Sequence, residues 1–241
     1  MRLPRIKAEG PAFYHCVSRV VEGRFIFQTT APGSVEAEYF VGLMRRLEAF
    51  SGVQVLTYAL MSNHFHVLCQ VPQGEPVSEL ELLERIEAGY GQQRRQALER
   101  QLARWSEQAQ GASQRQQLLE PYRRRMNDLS VFFKELKGRF AQWYNRRHER
   151  YGVLWAERFK SVLLEGGQAV AAVGAYIELN PVRAGLCADP KDTATAAMLR
   201  RWPGAVPWPR KGSEAFWVSQ PAFAGRKSAG SIAGTSSSRA A

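Results

Sequence analysis

The chain has 241 residues, with 33 Lys and Arg against 22 Asp and Glu, a formal net charge of +11 and a pI near 10.0. That length allows one sizeable core, or one domain with a large insertion and a tail, and the positive field favours phosphate-bearing partners, nucleic acid first. No apolar run is long enough to span a bilayer and no apolar signal-peptide core follows Met1-Arg2-Leu3-Pro4-Arg5, so a cytoplasmic protein without a membrane partner is expected.

Cys16, Cys69 and Cys187 lie far apart with no Cys-x-x-Cys spacing, which leaves them as buried thiols in a reducing compartment. Ala12 to Val20 (AFYHCVSRV) alternates and is rich in aromatic and β-branched residues, predicting a first strand. Gly23 and the Thr29–Gly33 loop break it. From Ser34, a plausible N-cap, Tyr39, Phe40, Leu43, Met44, Leu47 and Phe50 recur at helical spacing up to a stop at Gly52. Val53 to Leu60 reads as a second strand, Met61-Ser62-Asn63 as a turn, and His64 to Val71 as a third strand antiparallel to it.

Glu75 to Asn127 is dense in Gln, Arg and Glu and carries short apolar stripes (Leu80, Leu83, Ile86; Leu98, Leu102, Trp105), predicting a charged insertion of two or three helices. Its Arg123-Arg124-Arg125 run reads as a solvated helical face. A further helix starts near Asp128 and runs to Gly152, with Leu129, Phe132, Phe133, Leu136, Phe140, Trp143 and Tyr144 on one stripe and basic residues around it. Arg158 to Glu165 gives a fourth strand. Gly166-Gly167 then opens a last helix through Tyr176 to Asn180, where Pro181 is expected to stop or bend it.

This order predicts an α+β, ferredoxin-like (split βαβ) sheet of four antiparallel strands, with an extra C-terminal helix and a helical insertion. The expected organisation is one catalytic-type domain from 1–74 and 128–186, the insertion at 75–127, a C-terminal extension at 187–224, and a disordered tail at 225–241 whose Gly, Ser, Ala and Arg cannot build a core.

His64 and His66 are the residues to start from chemically. At i and i+2 of a strand they share a face, about 7 Å apart, and two imidazoles aimed at one point make half of a metal site. A strand that simply carries two hydrogen-bonded histidines fits the same pattern. A third ligand must come from elsewhere, and Asn180 is a candidate because it lies one helical turn from Tyr176. That face would join a ligand to a nucleophile, although a tyrosine in a helix is, on sequence alone, more readily read as a packed aromatic. With an ordinary pKa near 10, a tyrosine nucleophile needs a nearby cation or base.

FYHCVSR near the start, LMSNHFHVL in the centre, LWAERFKS after the basic helix and YIELNPVRAG in the last helix, taken together, resemble the single-tyrosine HUH transposases. Within them the likeness is to the REP-associated tyrosine transposases, relatives of insertion-sequence transposases that work on single-stranded DNA. It spans roughly residues 10–186, interrupted by the insertion. It implies that His64-Phe65-His66 is the HUH motif, Tyr176 the nucleophile and Asn180 the residue completing a site for Mg²⁺ or Mn²⁺. The implied reaction nicks hairpin-bearing single-stranded DNA, such as repetitive palindromic elements, leaving a 5′-phosphotyrosine and a free 3′-hydroxyl, with the protein a monomer or homodimer. Ser62 stands where relatives usually have proline, which alters turn stiffness rather than chemistry.

The expected DNA contacts are Arg19, the basic helical face (Lys134, Lys137, Arg139, Arg146, Arg147), Arg158 and Lys160 beside Trp155 and Phe159, and Arg183 near Tyr176. Single strands call for this mixture, since bases stack on rings while phosphates meet cations; Trp155 and Phe159 are alternatively core residues. His15 and His148 are read as structural or phosphate-contacting and left out of the metal site. A hairpin DNA- or RNA-binding regulator of the same fold is the alternative function. A His-x-His metal hydrolase fits worst, because the chain has only four histidines and no further metal-type pair.

Overall fold

The alternation of buried and partly exposed residues along β1 (Ala12–Arg19) decides the two faces of the sheet. Ala12, Tyr14, Cys16 and Ser18 point into the main core, and Phe13, His15, Val17 and Arg19 point the other way. The computed structural model describes residues 10–27, 34–74, 76–105 and 111–189. The expected tail at 225–241, and the 187–224 extension beyond Asp189, lie outside the described residues. After β1 come α1 (Val35–Ser51), β2 (Gln54–Met61), β3 (His64–Val71), α2 (Glu79–Tyr90), α3 (Gln92–Ala103), α4 (Gly111–Arg123), α5 (Leu129–Arg147), β4 (Lys160–Leu164) and α6 (Gly166–Arg183).

The strands align in the order β2-β3-β1-β4 with every neighbouring pair antiparallel. β3, the histidine strand, is therefore central. α1 begins where the Ser34 hydroxyl accepts the Ala37 N–H at 3.3 Å and ends at Gly52, whose φ of 76° lies in the left-handed region that favours glycine. α5 begins at Asp128, whose carboxylate accepts the Ser130 and Val131 amides. Both helices lie on one sheet face, where Phe40, Met44, Leu47, Phe132, Phe133 and Phe140 pack with Cys16, Phe65, Val67 and Cys69. Each large side chain buried there contributes about 1.5–3 kcal/mol.

β2 does not alternate strictly, because a bulge falls between Val55 and Thr57. The extra residue, Leu56, shifts the inward-facing positions by one. Val55, Tyr58 and Leu60 join the main core, while Ala59 and Met61 line the opposite face under α6.

Three expected boundaries shift. β4 starts at Lys160 rather than Arg158, since the preceding stretch continues alongside the end of β1 through the Val20–Trp155 bridge and an Ala156 N–H to Arg19 C=O bond of 3.0 Å. α5 stops at Arg147, before Gly152. Pro181 does not stop α6: it sits in the last turn, where the chain is close to leaving the helix anyway, and the Ala184 and Leu186 amides close that turn onto the Asn180 and Pro181 carbonyls.

Among the described residues, the insertion is three helices with a core of its own, built from Leu82, Leu83, Ile86, Leu98, Leu102, Leu119 and Tyr122 packed on Phe50 of α1. Among the described residues no helix is long and apolar enough to cross a membrane.

Candidate active site

The sheet face turned away from α1 and α5 carries His15 and Arg19 from β1 and His64 and His66 from β3. Strand register places Arg19 opposite His64 and Val17 opposite His66, so His15 lies diagonally across from His66. Nε2 of His15 is 3.0 Å from Nδ1 of His66, and the His64 and His66 rings are 5.1 Å apart. His15, read from sequence as structural or phosphate-contacting, is a hydrogen-bond partner of His66 here. Its alternation on β1 placed it on this face, but only the pairing register shows that it meets His66.

The tautomer of His64 follows from its neighbours. Asn63 donates Nδ2–H to the Gly23 carbonyl at 3.1 Å, which orients the amide so that Oδ1 faces His64 Nδ1 at 2.7 Å. Nδ1 of His64 must then carry the proton, leaving the lone pair on Nε2. This arrangement, a histidine fixed through its far nitrogen, is how metal-binding imidazoles are oriented.

α6 rests on the sheet through Ile177, which packs with Ala59, Met61 and Leu68 while Val170 and Val173 lie against the same cluster. Tyr176 is thereby held at the rim of that contact, 37 % exposed. Its ring meets His66 and His15 edge-on, with centroids 5.8 and 6.2 Å away. The Arg183 guanidinium, two turns further on, is 5.8 Å from the same ring. Glu178 lies toward Thr57; burial raises its carboxyl and the Thr57 hydroxyl partly opposes this. Among the other tyrosines, Tyr58 and Tyr144 are buried on the core side and Tyr151 is exposed in a loop.

The three histidines are neutral near pH 7. Burial, then the charges of His15, His64 and Arg19, pushes His66 down to about 3; burial and Arg19 lower His64; burial lowers His15. Neutral imidazoles keep the lone pairs a cation needs. Asn180, one helical turn beyond Tyr176, has a buried amide end, Nδ2, without a hydrogen-bond partner. The two ends of a carboxamide are exchangeable by rotation, so that buried end can equally be an oxygen. Two imidazoles and one carboxamide oxygen are an uncharged set of donor types that a divalent cation accepts. Among the described residues no group of three or more His, Cys, Asp or Glu side chains is arranged to hold a metal.

The expected DNA contacts divide. Arg19, Lys134, Arg146, Arg147, Arg158, Lys160 and Arg183 are exposed, although Arg147 is 3.5 Å from Glu36 and Lys160 3.0 Å from Glu157. Three others have different roles. Lys137 is 8 % exposed and donates to the Glu157 carbonyl at 2.6 Å. Trp155 packs among Phe40, Phe65 and Phe140 and donates its indole N–H to the Lys137 carbonyl. Arg139 turns toward the insertion, over the Tyr90 ring. A helix with aromatics on one stripe and cations around it does not reveal which cations flank a neighbouring element, and Lys137 and Arg139 do. His148 bonds Glu36 on the surface.

The chain is thus an α+β protein with a ferredoxin-like, four-stranded antiparallel sheet and a tyrosine-bearing helix laid across its open face. No family profile and no curated protein matches the sequence. The fold is similar to that of a solved REP-associated tyrosine transposase bound to a REP hairpin, with a TM-score of 0.51 and 11% identity over 92% of this chain and 99% of that one.

Proposed function

We propose that this chain is a metal-dependent, tyrosine-using nickase and strand transferase of the transposase type, acting on single-stranded DNA that contains hairpins, such as repetitive palindromic elements. The observation that carries the reading is the convergence of Tyr176 from α6 on His66 and His15 from two neighbouring central strands. The fold it shares with a hairpin-bound transposase and the +11 charge support it.

In the first step the Tyr176 phenolic oxygen attacks the scissile phosphorus. A phosphorus–tyrosine bond forms, the bond to the 3′ oxygen breaks, and that oxygen takes up a proton to become a free 3′-hydroxyl. The 5′-phosphotyrosine keeps the phosphodiester energy for a later strand joining. The phenol must lose its proton to attack, and water at the half-exposed ring can take it. Arg183 offers positive charge to the phenolate and to the phosphate oxygens. His64, His66 and Asn180 would hold Mg²⁺ or Mn²⁺, whose charge, when bound, polarises the phosphate. The protein acts in the cytoplasm as a monomer or homodimer.

The test mixes the protein with labelled single-stranded hairpins and Mg²⁺ or Mn²⁺ and looks for a protein–DNA adduct that survives denaturant. We expect an adduct that disappears in Tyr176→Phe and His64→Ala while hairpin affinity persists. Binding without adduct, for either metal and across several hairpins, would instead establish a non-catalytic hairpin DNA- or RNA-binding regulator. The uncharged ligand set, with the Arg19 cation opposite His64, favours that second reading, because both weaken the hold on a divalent ion.

A further inference from the structure

Three large apolar side chains stand in water at the histidine end of the sheet: Phe25 is 79 % exposed, Tyr151 95 % and Val153 72 %. They sit on two segments that hydrogen bonds fix to the site. Val21 N–H donates to the Leu154 carbonyl at 2.9 Å next to the Val20–Trp155 bridge, so the chain around 150–156 runs beside the end of β1. The other segment folds over the β2–β3 turn, where the Ile26 and Phe27 amides both donate to the Ser62 carbonyl, at 2.8 and 3.1 Å. The neighbouring Gly23 carbonyl takes the Asn63 bond that orients His64. Ile26 and Phe27 are buried, which turns Phe25 outward. Tyr151 precedes Gly152, whose φ of 87° is one that side chains disfavour and whose carbonyl is held by the Asn145 amide at 2.9 Å. Both rings are therefore displayed on fixed backbone.

Each ring has an arginine as its chain neighbour. The Arg150 guanidinium is 5.8 Å from the Tyr144 ring; burial raises the Tyr144 phenol, with Arg150 and Arg24 lowering it and Glu36 raising it. Glu22 pairs with Arg24 at 2.6 Å and Glu149 is exposed, but Arg19, Arg146 and Arg147 are exposed as well, and the rim stays positive. Separate rings with guanidinium neighbours and a positive rim suit flat, anionic, sequential units better than a protein partner, which would need one continuous apolar patch.

We propose that Phe25 and Tyr151, flanked by Arg24 and Arg150, are a stacking platform for unpaired nucleotides of a DNA strand entering or leaving the site beside His64. This rests on the single-strand reading of that site and adds where the strand lies.

The test measures fluorescence anisotropy of labelled oligo(dT), and of a fully paired duplex of equal length, at low salt. We expect Phe25→Ala and Tyr151→Ala each to weaken oligo(dT) binding about tenfold, Phe25→Tyr and Tyr151→Phe to bind like the parent, and duplex binding to stay unchanged. The platform is overturned if the double alanine variant binds oligo(dT) like the parent, or if it loses duplex affinity to the same degree. It is equally overturned if the parent sediments as a dimer that the double variant converts to monomer, which would assign the surface to a second copy. An adduct assay that fails while the oligo(dT) losses hold removes the nickase and leaves the platform; the reverse pattern removes only the platform.

Discussion

Nε2 of His15 lies 3.0 Å from Nδ1 of His66, so one proton is shared between two imidazoles from adjacent strands. If His66 presents its Nε2 lone pair to a cation, its Nδ1 must donate and His15 must accept, and His15 becomes the residue that fixes the His66 tautomer. We expect His15→Ala to weaken Mn²⁺ binding at least about tenfold by calorimetric titration, and to slow adduct formation. Mn²⁺ affinity equal to that of the parent would mean that His66 is oriented without His15.

Arg183 faces the Tyr176 ring from the same side of α6. A cation there lowers the cost of forming a phenolate and of crowding charge on phosphorus. Arg183→Ala should cut the rate of adduct formation roughly tenfold to a hundredfold, with Arg183→Lys falling between. Single-turnover kinetics at saturating hairpin separates this from weakened binding, which alone would leave the maximal rate unchanged.

Lys137 gives stability a pH dependence in the alkaline range, of the same sense as acid unfolding. Burial lowers its amine to about 8 from an ordinary 10.5. Below pH 8 both folded and unfolded states hold the proton, and the full burial cost is present. Between pH 8 and 10.5 the folded state has released the proton while the unfolded state keeps it, so stability rises with pH, by at most ~3 kcal/mol. The Glu157 carbonyl and the Trp155 ring favour the charged amine, which makes this an upper limit. Urea unfolding at pH 7.5 and pH 10 should show the parent gaining on Lys137→Met; parallel behaviour would mean the amine is not desolvated.

Gly89 lies where α2 crosses α1. A Cβ built there would stand 2.6 Å from the Cβ of Phe50, a distance only a backbone shift can relieve. Alanine gains about 1 kcal/mol in helix propensity but costs ~1–3 kcal/mol in overpacking. We expect Gly89→Ala to be net destabilising by about 1 kcal/mol in denaturant unfolding. A stabilised variant would show that the insertion yields easily against α1.

Much of the frame was legible because it is written in local patterns. Strand alternation and helical spacing fix which residues of β1, α1, β3 and α5 face inward, and Ser34, Gly52 and Asp128 mark helix ends by chemistry that acts over three or four residues. The same locality explains the misses. Pro181 reads as a stop or a bend because sequence shows a missing N–H but not its place in a final turn, and Lys137 and Arg139 read as a DNA face because periodicity cannot say which cations meet another element.

The sequence by itself determined the order of the secondary elements and the pairing of His64 and His66 on one strand face, since each depends on neighbours within a few positions; Tyr176 stood out only through the resemblance of the YIELNPVRAG motif. Only the tertiary structure decided that His15 joins them and that Asn63 sets the His64 tautomer through Gly23. It also decided that Phe25 and Tyr151 stand exposed on segments tied to the same sheet end. Those facts depend on strand register and on contacts across 40 residues or more, where a one-residue slip would turn every side chain to the opposite face.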